Sequence, residues 1–307
     1  MGIAPYLGAL GLAWWHDAQS RAFHRESGRE RRQQMSERDG YEPGVPCWVA
    51  TIHPDPEKAV GFYTELFAWE ATNLMPPESP SEFYVCKRHG RDVAAIGSER
   101  DGVPSAPAWN TYIWADSADD TVAKVTNAGG SVVVEPSDCR DVARVAVVAD
   151  PAGAVFGVWQ PGEHRGAQLV NEPGAWAMSQ LNTRDPEGAK VFYGAVFGWE
   201  TDTFDMGEGE ITLWRLPGYV GGESGQPVSR EVVGVMVPLS GDRSPEDASA
   251  HWSVDFWVDD VDATALKAAE LGGEVKMWPF YTSVGKTAIL TDPQGASFSV
   301  SKVGPST

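Results

Sequence analysis

One stretch of this chain is written twice, and that duplication constrains its folds more than any other feature. A shift of 130 residues lays Asp55-Pro56-Glu57, Phe62-Tyr63, Phe67 and Trp69-Glu70 on Asp185-Pro186-Glu187, Phe192-Tyr193, Phe197 and Trp199-Glu200. Further on, Asp150-Pro151-Ala152-Gly153 is echoed by Asp292-Pro293-Gln294-Gly295, and Ala128-Gly129-Gly130 by Leu271-Gly272-Gly273. Self-similarity at a fixed offset means a structural unit built twice. Each unit exceeds 100 residues, so the chain reads as a tandem pair of domains and not as a solenoid of short repeats.

Length and composition agree with two domains, since 307 residues with 42% hydrophobic content can fill two cores. The first 44 residues balance their charges, so the whole deficit of −19 falls on the remainder. An acidic body repels phosphate backbones and anionic lipid, which argues against nucleic acid and membrane surfaces as partners. Cys47, Cys86 and Cys139 are scattered, with no C-x-x-C spacing. That excludes a disulfide framework or zinc ribbon and points to a reducing compartment, the cytoplasm.

Patterned sequence begins at Val45, so residues 1–44 are expected to form a flexible N-terminal extension. The apolar run Ile3–Trp15 is too short to span a bilayer and lacks the flanks of a signal peptide. Met35 is the expected natural start. The first domain is assigned to 45–160, a polar Gly/Pro-containing linker to 161–174, and the second domain to 175–303.

Each unit opens with a strand (47–53, 177–183), an Asp-Pro turn and a helix whose apolar residues recur at helical spacing (57–67, 187–197). Three strands follow in each. The order then repeats within the unit: strand (109–115, 251–258), helix (117–128, 262–271) stopped by a glycine pair, and three more strands. The chain therefore holds four β-α-β-β-β modules. A glycine-rich insertion, 218–230, has no apolar period and reads as a surface loop, with a lid the alternative.

The strand–Asp-Pro–helix openings ending Phe-Tyr-x-x-x-Phe-x-Trp, and the closing Asp-Pro-x-Gly before an apolar strand, resemble the vicinal oxygen chelate superfamily of glyoxalases, bleomycin-resistance proteins and extradiol dioxygenases. The resemblance covers Val45 to Val303. It implies an α+β fold of tandem glyoxalase-like domains, each made of two βαβββ modules curled into a mixed-sheet cup with helices outside. It also implies a divalent metal on the cup floor, held by His, Gln or Glu at strand starts. Matched on the landmarks, those positions here are Trp48, Asn110 and Gly157 in unit one, and Met178, Ser253 and Ser299 in unit two. Indole donates no lone pair, glycine has no side chain, and a lone amide or hydroxyl binds divalent ions weakly. No metal or other cofactor is therefore expected.

Strand alternation separates cup-facing from helix-facing residues. In 251–258, Trp252, Val254, Phe256 and Val258 form an apolar helix face, leaving His251, Ser253, Asp255 and Trp257 for the cup. Unit one's cup collects Trp48, Asn110, Tyr112, Trp114 and Trp159, able to stack on a flat ligand, with Gly157 leaving space among them. Unit two's collects Met178, Gln180, Asn182, Ser253, Ser297 and Ser299, offering hydrogen bonds. Asp255 is the first candidate for general base, its pKa rising if Trp257 and apolar walls desolvate it, with His251 as its partner. His53, His89 and His164 are expected in surface roles. The leading expectation is a metal-free protein that binds a hydrophobic or aromatic metabolite or antibiotic. An acid/base enzyme of specialised metabolism or detoxification is the alternative, and a metal-dependent glyoxalase or dioxygenase comes third. Domain pairing within one chain or a homodimer would satisfy either of the first two.

Overall fold

A computed structural model describes residues 37–98, 107–205, 210–221, 229–239, 248–282 and 285–303. The expectations for residues 1–36, Met35 included, lie outside these residues, as does 222–228 of the glycine-rich insertion. Unit one runs β1 (Pro46–His53), α1 (Pro56–Phe67), β2 (Glu70–Asn73), β3 (Phe83–Arg88), β4 (Arg91–Ser98), β5 (Ala108–Trp114), α2 (Ala118–Asn127), β6 (Ser131–Cys139), β7 (Ala143–Ala149) and β8 (Val155–Pro161). Unit two repeats it with β9 (Trp176–Thr183), α3 (Pro186–Phe197), β10 (Glu200–Asp205), β11 (Glu210–Arg215), β12 (Val232–Pro238), β13 (His251–Trp257), α4 (Val261–Glu270), β14 (Glu274–Thr282), β15 (Gly285–Thr291) and β16 (Ser297–Val303).

Each unit is one eight-stranded mixed sheet, in the order β2-β3-β4-β1-β5-β8-β7-β6 and β10-β11-β12-β9-β13-β16-β15-β14. The two modules of a unit join where β1 meets β5, and β9 meets β13, antiparallel. Within a module the outer central pairings, β1–β4 and β5–β8, are parallel. The Asp-Pro openings work as read. Asp55 and Asp185 cap α1 and α3 by accepting from the backbone N–H of Lys58 and Gly188, with Pro at the first helical turn.

The two cores do not follow the two units. One combines β1, α1 and β4 of unit one with Val254, Phe256, Ala265 and Phe298 of unit two. The other combines Ile113, Val122 and Phe156 of unit one with Leu181, Phe192, Tyr193 and Trp252 of unit two. The helix faces of the sheets are therefore packed towards each other, and the opposite, cup faces point away from the partner unit.

The repeated landmarks are the residues that join the units. Tyr63 donates its hydroxyl to Asp292 Oδ2 at 3.0 Å, and Tyr193 donates to Asp150 Oδ2 at 3.1 Å. The other oxygen of each aspartate accepts backbone N–H groups of its own Asp-Pro-x-Gly turn, from Ala152 and Ala154 or from Gln294 and Ala296. Each tyrosine oxygen also accepts an indole N–H, from Trp109 or Trp252, at 2.9 Å. The glycine pairs serve two purposes. Gly129 and Gly272 take the left-handed conformation that ends α2 and α4. Gly130 and Gly273 sit where a Cβ would stand 2.6 Å from the Ala149 carbonyl oxygen and 2.4 Å from that of Thr291, with the rings of Phe192 and Phe62 of the other unit at 3.0 and 3.1 Å.

Two histidine expectations are corrected. His53 is fully buried on the helix face of β1, bonded to Thr51 Oγ1 and 3.3 Å from Asp292 Oδ2. His164 inserts its ring against Trp48 and Trp159, at centroid distances of 4.6 and 5.5 Å. Only His89 stays in an exposed turn, with positive φ.

Candidate functional site

Cup-facing positions follow from register, because directly paired residues share a face. The floor of unit one is Trp48 opposite Tyr112, then Tyr112 opposite Gly157 and Trp114 opposite Trp159. The same positions in unit two are Met178 opposite Asp255, Asp255 opposite Ser299 and Trp257 opposite Ser301.

The two floors carry different chemistry. In unit one the rings fill the cup. Trp48, Trp114 and Trp159 are only 1%, 5% and 6% exposed. The space expected beside Gly157 is taken by the Tyr112 ring, whose nearest carbon lies 2.0 Å from where a Cβ would stand. The segment after β8 closes the end of the cup. Ala167 N–H donates to the Cys47 carbonyl, Gln168 N–H to the Asp92 carbonyl, and the His164 ring lies 3.3 Å from Asp92 Oδ2. Burial pushes the Asp92 carboxyl up, but bonds from His164 and Lys87 outweigh it and leave the group below the usual carboxylate range. Residues 161–174 thus do more than link the units. Asn110, half-buried, turns its amide to the Ala108 carbonyl.

In unit two the floor is a carboxyl–hydroxyl cluster. Asp255 Oδ1 accepts from Ser299 Oγ at 2.8 Å, and Oδ2 accepts from Ser301 Oγ. Burial pushes the Asp255 carboxyl up to about 6, although both serine hydroxyls favour the charged form. A second chain of polar groups lies beside it. Gln180 Nε2 donates to Asn182 Oδ1 at 2.6 Å, and Asn182 Nδ2 donates to Ser253 Oγ at 3.1 Å. His251 is not brought to Asp255. It is exposed, and its Nδ1 lies 2.9 Å from the Ser249 carbonyl oxygen.

Apolar walls stand on either side of this floor. Met277 pairs with Ile289, which pairs with Ser299, and Phe280 pairs with Thr287, which pairs with Ser301. On the other side Leu213 pairs with Val235, itself opposite Gln180, and Phe204 pairs with Ile211 two residues along. Phe204, Met277 and Phe280 are exposed, so these rings are not absorbed by the core. Ser301 and the wall residues are the additions to the residues read from sequence. Ser301 continues the alternation of Ser297 and Ser299, whereas the walls are visible only through cross-strand register.

The donor set does not fit a divalent ion. Among the described residues no three His, Cys, Asp or Glu side chains converge. The unit-two floor offers one carboxylate, already accepting two hydroxyls, with thioether, amide and alcohol groups around it.

Two sheets of paired βαβββ modules with cup-shaped outer faces define a two-domain glyoxalase-like protein, and sequence comparison agrees. The model described as "Glyoxalase/Bleomycin resistance protein/Dioxygenase superfamily" matches residues 48–158, and "Glyoxalase-like domain" matches 176–301. The chain belongs to the glyoxalase/bleomycin resistance protein/dioxygenase superfamily. A Mycobacterium tuberculosis protein named "Putative glyoxylase CFP32" is 38% identical over 274 residues, covering 88% of this chain and 99% of that protein. The anthracycline biosynthesis protein DnrV of Streptomyces peucetius is 34% identical over 279 residues, covering 85% and 94%. Among solved structures, the 2,3-dioxygenase LapB of Pseudomonas sp. KL28 superposes with a TM-score of 0.57 at 13% identity, over 86% of this chain and 94% of that one. The Mn(II)-bound glyoxalase of Novosphingobium aromaticivorans gives 0.53 at 16%, over 85% and 83%. At those identities the likeness is one of fold.

Proposed function

We propose that the chain binds a small, flat, largely apolar molecule in the cup of unit two, without a metal. One observation carries the reading. The floor positions that unit one fills with Trp48, Tyr112, Gly157 and Trp159 are Met178, Asp255, Ser299 and Ser301 in unit two, set between the exposed side chains of Phe204, Met277 and Phe280. Apolar walls around a few polar groups make the ordinary form of a small-molecule site. Two relatives are named for anthracycline biosynthesis, and anthracyclines are fused planar rings edged with hydroxyl and carbonyl oxygens. Such a ligand would lay its faces against the walls and its oxygens on the carboxyl–hydroxyl floor. The three free cysteines suit a reducing compartment, the cytoplasm. Among the described residues no helix is long and apolar enough to cross a membrane.

Calorimetric titration with a panel of hydroxylated anthraquinones tests this. Saturable binding weakened at least about tenfold by Phe280→Ser is expected, as one anchoring ring contributes more than about 1.4 kcal/mol. Binding lost in Trp159→Leu yet untouched in Phe280→Ser would place the ligand in unit one and defeat the proposal. So would a stoichiometric divalent metal in the purified protein.

The carboxyl of Asp255 also supports a second reading, as an acid/base enzyme. A group pushed up to about 6 exchanges protons near neutral pH. Asp255→Asn should then abolish turnover while leaving ligand affinity within about threefold, and unchanged turnover removes Asp255 from the chemistry.

A further inference from the structure

Outside the cup of unit two, the segment before β1, the segment after β8 and the residues 219–221 and 230 at the ends of the glycine-rich insertion line an open cavity of about 400 Å³. Arg38, Arg165 and Arg230 line it, one from each segment, together with Glu42 and the rings of Tyr41 and Tyr219. Three guanidinium groups against one carboxylate make an unusual place in a chain of net charge −19. Like charges that converge repel one another, and a bound anion would relieve that repulsion.

The backbone fixes each arginine in position. Gly166 holds a positive φ, and a Cβ there would stand 2.5 Å from the Cys47 carbonyl oxygen, so the chain turns tightly just after Arg165. Arg165 is exposed, and Tyr41, whose hydroxyl donates to the Ala167 carbonyl at 2.7 Å, ties the neighbouring segment to the same turn. Arg230 and Gly221 close the base of the insertion by a reciprocal pair, Gly221 N–H to the Arg230 carbonyl and Arg230 Nε to the Gly221 carbonyl. That leaves the two terminal nitrogens of Arg230 for other partners. Arg38 is oriented by the Glu37 carbonyl and the Tyr219 phenol.

Two of the neighbouring acids are engaged elsewhere. Glu231 is bonded to Arg215 at 3.0 Å, and Glu37 to Arg91 at 2.9 Å. Among the described residues no carboxylate lies within ion-pair distance of Arg165 or Arg230, whereas Arg144 and Arg215 each hold two or three.

We propose that this cavity is a binding site for a phosphate group, free or carried on a small organic molecule, and that Arg165 and Arg230 are its principal ligands. The planar guanidinium fork matches a tetrahedral oxyanion in two-point contact, and a dianion answers the charge surplus better than a single carboxylate would. Tyr41 and Tyr219 leave apolar surface for whatever the phosphate is attached to. The site would be independent of the unit-two cup, since none of its lining residues belongs to that cup.

Titration of the full chain with inorganic phosphate and, separately, phenyl phosphate tests the proposal. Saturable binding is expected that weakens at least about tenfold in Arg165→Gln and in Arg230→Gln and is unchanged in Lys124→Gln. Affinity should also fall as salt is raised, because the site is open to solvent. Tighter binding of the ester assigns the site to an organic phosphate, and equal binding assigns it to the free ion. No saturable binding of either probe, or binding that survives both arginine substitutions, overturns the proposal. Because Arg165 is exposed, Arg165→Gln keeps the test valid if Arg230→Gln disturbs the insertion.

Discussion

A carboxyl group on a sheet face, bonded to two serine hydroxyls and still pushed up to about 6, carries a cost that depends on pH. The folded protein holds the Asp255 proton more tightly than the unfolded chain does. Stability therefore falls as pH rises from the ordinary carboxylate range through about 6, and the full cost is present above that. Asp255→Asn removes the charge while keeping the shape. Urea unfolding should find the variant more stable than the parent by roughly 1–2 kcal/mol at pH 7.5, a value below the full shift because the group retains some solvent access. At pH 4.5 the two should differ little. An equal difference at both pH values would mean that Asp255 does not titrate in this range. The same substitution thus separates stability from function, since a binding or catalytic role predicts loss where the electrostatics predict gain.

At the scale of the strand, alternation decided most of what was legible in advance. It placed Trp252, Val254 and Phe256 on the core face and Ser253, Asp255 and Trp257 on the other, as register and burial confirm. It could not show that unit one's cup is closed. That closure depends on Tyr112 lying over Gly157 and on a segment whose anchors are backbone bonds to Cys47 and Asp92. A segment held by its backbone leaves no periodic trace in side-chain sequence, so His164 read as a surface residue. Nor could alternation within single strands show the walls of unit two, since bulges in β14 shift Met277 and Phe280 relative to a regular count. The filled cup makes its own prediction. Gly157→Ala must displace the Tyr112 ring, and such overpacking costs about 1–3 kcal/mol. A drop of that size in the urea unfolding free energy is expected, and a neutral result would mean the ring moves freely and the cup can open.

For the whole molecule, the repeated motifs announced two units but not how they meet. Asp-Pro-x-Gly and Phe-Tyr occur in both copies, so sequence cannot distinguish pairing within a unit from pairing across units. The structure pairs them across: Tyr63 with Asp292 and Tyr193 with Asp150. These reciprocal bonds, buried within two shared cores, make the units one cooperative body, and they are not equivalent. Asp292 keeps a second side-chain partner in His53, 3.3 Å away, whereas Thr183 stands at the matching position in unit two and accepts from Asp185 N–H. Removing the Tyr193 hydroxyl therefore leaves Asp150 Oδ2 without that donor and the Trp252 indole N–H without its acceptor. Burial already pushes the Asp150 carboxyl above its ordinary value, and the bond from Tyr193 opposes that rise. Tyr193→Phe should cost about 2–3 kcal/mol and Tyr63→Phe about 1–2 kcal/mol, the smaller figure reflecting the imidazole that remains beside Asp292. Both losses should appear in a single urea transition followed by tryptophan fluorescence and by far-ultraviolet circular dichroism, because each core draws on both units. Two resolved transitions, or a loss in Tyr63→Phe as large as in Tyr193→Phe, would show that the units unfold separately or that His53 does not support Asp292.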